Sequence, residues 1–294
     1  MAEPGDGPPQ EINSPLEAFE LMQSKLRSGD FDGALAIGDQ LIRLARNNLL
    51  SIRGPLADAL AAGVENGRVN QRIWEIERML GLNAAYFSGA GQDRFVEQKV
   101  FPGKAGGVFV DVGAYDGILG SNTLYFEKFR NWSGLCVEAS PIQFAKLADV
   151  RAAECLNAAV ADVDGEARFL EITKGFDQMS VLVNDMRPNF LAELEMMSER
   201  NPTEHHEITV PVTTFAAIAR ERDLTRVDYC SVDVEGAEMK VLQGIDFDYT
   251  DIGALSVENP PGQTENSRRI RGFLDERGYR LAGTMGEDDI FVKA

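Results

Sequence analysis

The sequence predicts an α/β fold, a doubly wound and mostly parallel sheet covered by helices, with a helical appendage at the N-terminus. Three observations predict it. After about residue 105, short Val-rich runs alternate with amphipathic segments, the rhythm of strands buried on both faces by crossover helices. The first run, 108–112 (VFVDV), ends in an aspartate and opens into the glycine-bracketed turn Gly113-Ala114-Tyr115-Asp116-Gly117. The first ninety residues instead repeat apolar side chains at helical spacing.

Residues 1–13 are rich in Pro, Gly and acid, can bury almost nothing, and read as a mobile tail. A helix start follows at Ser14-Pro15-Leu16-Glu17, where a capping hydroxyl, a first-turn proline and a carboxylate three residues on satisfy orphan amides. Phe19, Met22 and Leu26 continue that helix, Gly29 ends it, and Asp30 caps a second helix bearing Leu35, Leu41, Ile42 and Ala45. The outline is that of one tetratricopeptide-like unit without a second copy, and a lone unit cannot bury its apolar face unaided. A third pattern, 56–82 (Leu60, Val64, Ile73, Trp74, Ile76, Leu80), completes a helical region over 14–90 that docks on the main domain or makes a homo-oligomer with a second protomer.

Seven core strands follow at 108–112, 135–138, 154–160, 228–232, 253–258, 279–283 and 289–292. Two further β-like segments, 166–172 and 207–213, lie in a stretch between the third and fourth, read as an insertion over 163–213 and a candidate lid. Its Met179, Met186, Met196 and Met197 read as core packing beneath that lid. Asp162-Val163-Asp164-Gly165 lacks the further ligands of a calcium loop and reads as a turn.

Composition excludes several classes. The 294 residues are 44% hydrophobic and 26% charged, enough to bury a sizeable core. With 29 Lys+Arg against 47 Asp+Glu the net charge is −18, which argues against a nucleic-acid partner. There is no apolar run of bilayer length and no signal-peptide pattern at the N-terminus, so the expected location is the cytoplasm, with no membrane partner. Cys136, Cys155 and Cys230 are far apart and predict neither a disulfide nor a thiolate metal site.

The chemistry is read from the strand ends, where ligands bind in open α/β sheets. Glycine at 113 lets the backbone approach a nucleotide, but Tyr115 occupies the place of the second glycine of a phosphate-binding fingerprint. A cofactor without a pyrophosphate fits better, and a nucleotide-dependent oxidoreductase fits worse. Glu138, ending the second strand, can accept both ribose hydroxyls, so the pattern points to S-adenosylmethionine.

The runs QDRFVEQKVF, GGVFVDVGAYDGILGSNTLYFEK, GLCVEASP, SVDVEGAEMKVLQG and GYRLAG…DDIFV, taken in this order, resemble the FkbM family of S-adenosylmethionine-dependent methyltransferases over approximately residues 91–294. The resemblance implies a class I methyltransferase, a Rossmann-like fold with seven strands of which the last is antiparallel. It also implies methyl transfer to a hydroxyl of a sugar, glycan precursor or secondary metabolite. By resemblance Asp111, Gly113, Tyr115 and Gly117, with Ser121 and Asn122, hold the methionine part and ribose, Glu138 holds the ribose, and Asp162 lies near the adenine. Asp93 belongs to the run before the first strand, as a brace of the cofactor entrance or a helix cap. The family's Leu-Asp after its VPV run is Thr214-Phe215-Ala216 here, so no role carries over to that aspartate.

Beyond the fourth strand lie Asp233, Glu235 and Glu238, and the fifth ends in Glu258-Asn259 before Pro260-Pro261. If Asp233, Glu258 and Asn259 converge, they make an oxygen set suited to Mg²⁺ or Ca²⁺, similar to the Mg²⁺ site of catechol-type O-methyltransferases. The alternative is that Asp233 touches only cofactor while Glu258-Asn259 shapes a turn. Gly236 stands where those enzymes carry a lysine, which leaves Glu235, Glu238, His205 and His206 as candidate bases, Glu238 also serving as a helix-dipole partner. A methyltransferase-fold scaffold that recruits partners through its helices is the rival reading.

Overall fold

Asp30 does what its position predicts. Its Oδ1 accepts the Gly33 N–H at 2.9 Å, Lys25 Nζ lies 2.6 Å from its Oδ2, and Gly29 turns the chain with φ +79° between α1 (Pro15–Arg27) and α2 (Phe31–Ala61). The computed structural model describes residues 15–61, 67–199, 201–259 and 264–294. The tail expected over 1–13, the capping Ser14, Val64 and the Pro260-Pro261 pair lie outside them. α2 runs on through Pro55 to Ala61, so the third helix is α3 (Gly67–Met79) rather than a segment beginning at 56; nothing between Asp39 and Arg53 breaks the helix.

The described chain divides into two units. One comprises α1, α2 and residues 76–82, with Ala18, Ala34 and Ile37 buried and Arg53 paired to Glu77 at 2.5 Å. The other comprises residues 67–75 and everything from 83 onward, so part of the helical region read from the sequence belongs with the sheet. There Asn70 donates to the Thr284 carbonyl at 2.8 Å and Arg94 lies over the Trp74 ring at 4.8 Å.

After the α3 residues 67–75, the sheet unit runs through the short α4 (Gln92–Phe95) and β1 (Val108–Val112), then α5 (Leu124–Arg130), β2 (Ser133–Glu138), α6 (Pro141–Val150) and β3 (Glu154–Asn157). Next come β4 (Ala159–Ala161), β5 (Gly165–Lys174), β6 (Val181–Leu182), α7 (Phe190–Ser198), β7 (Glu204–Thr214) and α8 (Phe215–Glu221). β8 (Arg226–Val232), α9 (Glu238–Gln243), β9 (Asp251–Glu258), α10 (Thr264–Asp275), β10 (Tyr279–Met285) and β11 (Asp288–Lys293) complete it.

Seven strands form the main sheet in the order β10-β11-β9-β8-β1-β2-β3, with only β11 reversed. This is the class I methyltransferase architecture, with the last strand antiparallel. Alternation along each strand supplies two cores: Val110, Val137, Val232 and Leu255 face one helical layer, while Phe109, Cys136, Tyr229 and Ala254 face the other. The chain reverses its winding between β1 and β8, which opens a crevice at their carboxyl ends.

The run 154–160 is not one strand. Ala158 breaks it, because Asn157 Nδ2 and the Ala158 N–H both donate to the Glu138 carbonyl, and β4 leaves to join a second sheet, β4-β7-β5-β6. The insertion is therefore built on a sheet with its own core of Leu170, Ile172, Met179, Phe190 and Leu194; Met186 and Met197 pack against it and Met196 is exposed. Among the described residues no helix is long and apolar enough to cross a membrane.

Candidate active site

The turn after β1 is fixed by sterics. Gly113 has φ +84°, and a Cβ there would stand 1.6 Å from the Asp233 carbonyl oxygen, so the ends of β1 and β8 meet backbone to backbone. The Gly113 and Ala114 amides both donate to the Val137 carbonyl, and Tyr115 follows with φ +49°. The Tyr115 N–H then donates to Glu138 Oε2 at 2.8 Å, while Oε1 accepts the Ser140 N–H at 2.7 Å. Glu138 is thereby oriented at the end of β2. Burial pushes its carboxyl up to about 7 against the pull of these amides.

These residues line a cavity of about 330 Å³ whose walls include Asp111, Gly113, Tyr115, Ser121, Asn122, Glu138, Asp233 and Glu235. A volume in this range suits a nucleoside-sized ligand. The insertion closes one side: the Tyr115 hydroxyl donates to Asp177 Oδ1 at 2.8 Å, and Gln143 Nε2 donates to its Oδ2 at 2.9 Å. Ser121 caps α5 by accepting the Leu124 N–H at 3.1 Å. Asn122 donates to Ser231 Oγ at 3.0 Å and Asp288 Oδ2 at 3.3 Å, and its buried Oδ1 has no partner.

Sequence reading missed the clamp on this turn. The fully buried Arg151 side chain donates to Glu127 at 2.9 Å, Thr123 Oγ1 at 2.9 Å and Ser121 Oγ at 3.3 Å, and lies 3.8 Å from Asp111. Asp111 also accepts the Thr123 hydroxyl at 2.6 Å; burial raises its carboxyl while Arg151 opposes the rise. An arginine after α6 has no local motif to announce it.

The acids after β8 converge with Glu258 at the end of β9. Oxygens of Asp233, Glu235 and Glu258 all lie within 4.8 Å of one another. Asp233 opens onto the cavity yet is enclosed by protein, so burial and the charges of Asp288, Glu235 and Glu238 raise its carboxyl well above the usual range. Burial and the Asp233, Glu235, Glu238 and Asp288 charges do the same to Glu258. Burial brings Glu235 to about 7, with Arg187 of the insertion acting against it. Asp288, on β11 and missed by sequence reading, rises to about 6, chiefly from burial, despite hydrogen bonds from Gln92 and Asn122.

Several expected site residues lie elsewhere. Asn259 is not in the cluster: its Nδ2 donates to Asp289 at 2.8 Å and its Oδ1 accepts the Ser267 hydroxyl at 2.8 Å, so both ends brace β11 and α10, and Glu235 takes the third place. His205 and His206 are exposed on β7, His206 Nε2 lying 3.1 Å from Glu171, and neither lines the cavity. On β7 they stand in the second sheet, His205 opposite Ile172 and His206 opposite Glu171 on β5. Asp162 is exposed beyond β4 and outside the cavity, because the break at Ala158 carries it off. Gly117 (φ +81°) serves packing, since a Cβ there would meet Leu147 and Arg151 within 2.9 Å. Glu238 accepts the Gly236 N–H at 2.7 Å as a local cap, and the buried Asp93 holds the 87–91 turn through Ser88 Oγ at 2.5 Å and the Phe87 N–H at 2.7 Å.

The family profile described as Methyltransferase FkbM domain matches residues 111–281. Among solved structures, the chain is similar to a methyltransferase FkbM from Methylobacillus flagellatus KT at 12% identity and a TM-score of 0.43, covering 81% of this chain and 58% of that one. It is also similar to Aeropyrum pernix fibrillarin with natively bound S-adenosyl-L-methionine (12% identity, 71% and 74% covered, TM-score 0.40). A putative S-adenosyl-L-methionine-dependent methyltransferase from Methanococcus maripaludis is a third (11% identity, 78% and 93% covered, TM-score 0.38). No protein of curated function matches the sequence significantly.

Proposed function

The chain belongs to the methyltransferase FkbM domain family, and on that premise we propose that it transfers methyl from S-adenosylmethionine to oxygen, at a hydroxyl of a sugar, glycan precursor or secondary metabolite. The observation that carries this reading is Glu138, held by two backbone amides beside the Gly113 turn, with Asp233 and Glu235 lining the same cavity and Glu258 within 4.8 Å of both. Glu138 accepts the ribose hydroxyls, and Asp111, Ser121 and Asn122 border the methionine part.

Methyl transfer from a sulfonium is an in-line displacement that needs the acceptor oxygen about 3 Å from the methyl carbon and its proton removed. Glu235 faces that requirement: it lines the cavity, and a carboxyl brought to about 7 is matched to taking a hydroxyl proton near neutral pH. As an alternative to serving as base, Glu235 joins Asp233 and Glu258 in a donor set that fits a divalent cation such as Mg²⁺, since three carboxylates this close repel one another without a counter-charge. Bound there, the cation would orient an acceptor with adjacent oxygens and lower its hydroxyl pKa.

Calorimetric titration with S-adenosylhomocysteine, with and without Mg²⁺, tests the reading. Micromolar binding lost at least tenfold in Glu138→Ala supports it. No binding under either condition returns the weight to a scaffold. Methyl transfer to sugars that survives exhaustive chelation would retain the transferase and remove the cation.

A further inference from the structure

Helix α2 carries two apolar seams, and among the described residues α1 covers one. α2 packs on α1 with Ala34 and Ile37 buried. The other seam is largely open: Phe31 is 65% exposed, Leu35 70%, Ile42 67% and Ile52 51%, while Gly38 and Leu49 are half-buried and Met22 of α1 stands 3.9 Å from where a Gly38 Cβ would be. Its spacing is that of a coiled coil, since Phe31, Leu35, Gly38, Ile42, Ala45, Leu49 and Ile52 alternate steps of four and three through about three heptads. A contiguous apolar stripe of this kind marks an interaction site.

Charge identifies the occupant. The residue after each of Phe31, Gly38, Ala45 and Ile52 is charged: Asp32 and Asp39 in the first half, Arg46 and Arg53 in the second. The opposite flank holds Ala34, Leu41 and Asn48, with no charge. A flank acidic at one end and basic at the other is complementary to itself reversed.

We propose that α2 pairs antiparallel with α2 of a second copy of this chain, forming a two-fold homodimer. One register satisfies both core and charge. Leu35 faces the second copy's Ile52, Gly38 its Leu49 and Ile42 its Ala45, each layer setting a large side chain against a partner it has room for. The same register brings Asp39 beside Arg46 of the second copy and Asp32 beside its Arg53, each pair made twice by symmetry. Arg53 already holds Glu77 of its own chain, so Asp39 and Arg46, both exposed, set the orientation. A parallel pair would stack Gly38 on Gly38 and place the charged flank against the uncharged one.

Sedimentation of the full chain, with Asp39→Arg, Arg46→Asp, the double swap and Ile42→Glu, tests this. The wild type is expected at twice its 32.3 kDa at micromolar concentration. Either single swap should raise the dimer dissociation constant at least tenfold, and the double swap should restore it, which burial of the seam by the rest of its own chain would not produce. Ile42→Glu should be monomeric with circular dichroism unchanged. A monomeric wild type, or a double swap no tighter than the singles, overturns the proposal.

Discussion

A single glycine decides whether the cofactor turn exists. Alanine at 113 would need φ near +84° and would drive a methyl into the Asp233 carbonyl, a backbone atom that cannot rotate away. Gly113→Ala should therefore lose at least ~3 kcal/mol in denaturant unfolding and bind no S-adenosylhomocysteine; a variant as stable as the parent would show that the two strand ends can separate. Glu138 makes a different prediction. Burial raises its carboxyl to about 7, and in the proposed role it accepts the ribose hydroxyls in its ionised form. Affinity for S-adenosylhomocysteine should accordingly be full above pH 8 and fall by up to about tenfold per pH unit below 7. Calorimetry across pH 5.5–8.5 checks it, with Glu138→Gln weak and flat throughout.

At the scale of elements, the insertion is tied to the turn through the Tyr115 hydroxyl on Asp177. Removing it in Tyr115→Phe should cost about 1 kcal/mol locally. The expected result is faster amide exchange through 176–182, S-adenosylhomocysteine binding weakened a few-fold and an unchanged melting temperature; protection equal to the parent's would mean that Gln143 holds Asp177 alone. Such links also mark where sequence reading stops. The sheet was legible because its strands are Val-rich runs buried on both faces, and the Gly113 turn and Glu138 because they sit at strand ends. Ala158, Arg151 and Asp288 were not, since a strand break made by side-chain amides and a buried cation reaching four partners are tertiary facts. Asn259 read as a ligand from its place after β9, yet its orientation is set by Asp289 and Ser267, from elements later in the chain.

For the whole molecule, the acids set an unusual pH dependence. Glu138 and Asp288 are buried, with carboxyls raised to about 7 and about 6, so between pH 4.5 and 7 the folded state holds more protons than the unfolded one. Stability then falls as pH rises through that window, because each raised carboxyl must ionise inside the fold. The net charge of −18 acts in the same direction through self-repulsion. Glu127 and Asp228, which arginine, lysine and backbone amides hold below their usual range, contribute stability that is lost only at lower pH. The melting temperature should thus be highest near pH 5 and lower by on the order of 5 °C at pH 7.5, a loss of a few kcal/mol in a chain of this size. If Asp233, Glu235 and Glu258 hold a divalent cation, millimolar Mg²⁺ at pH 7.5 should recover part of that drop, and Glu258→Gln should abolish the recovery. A melting curve that rises from pH 5 to 7.5 would mean that these carboxyls ionise freely in the fold, and the matched base assigned to Glu235 would fall with them.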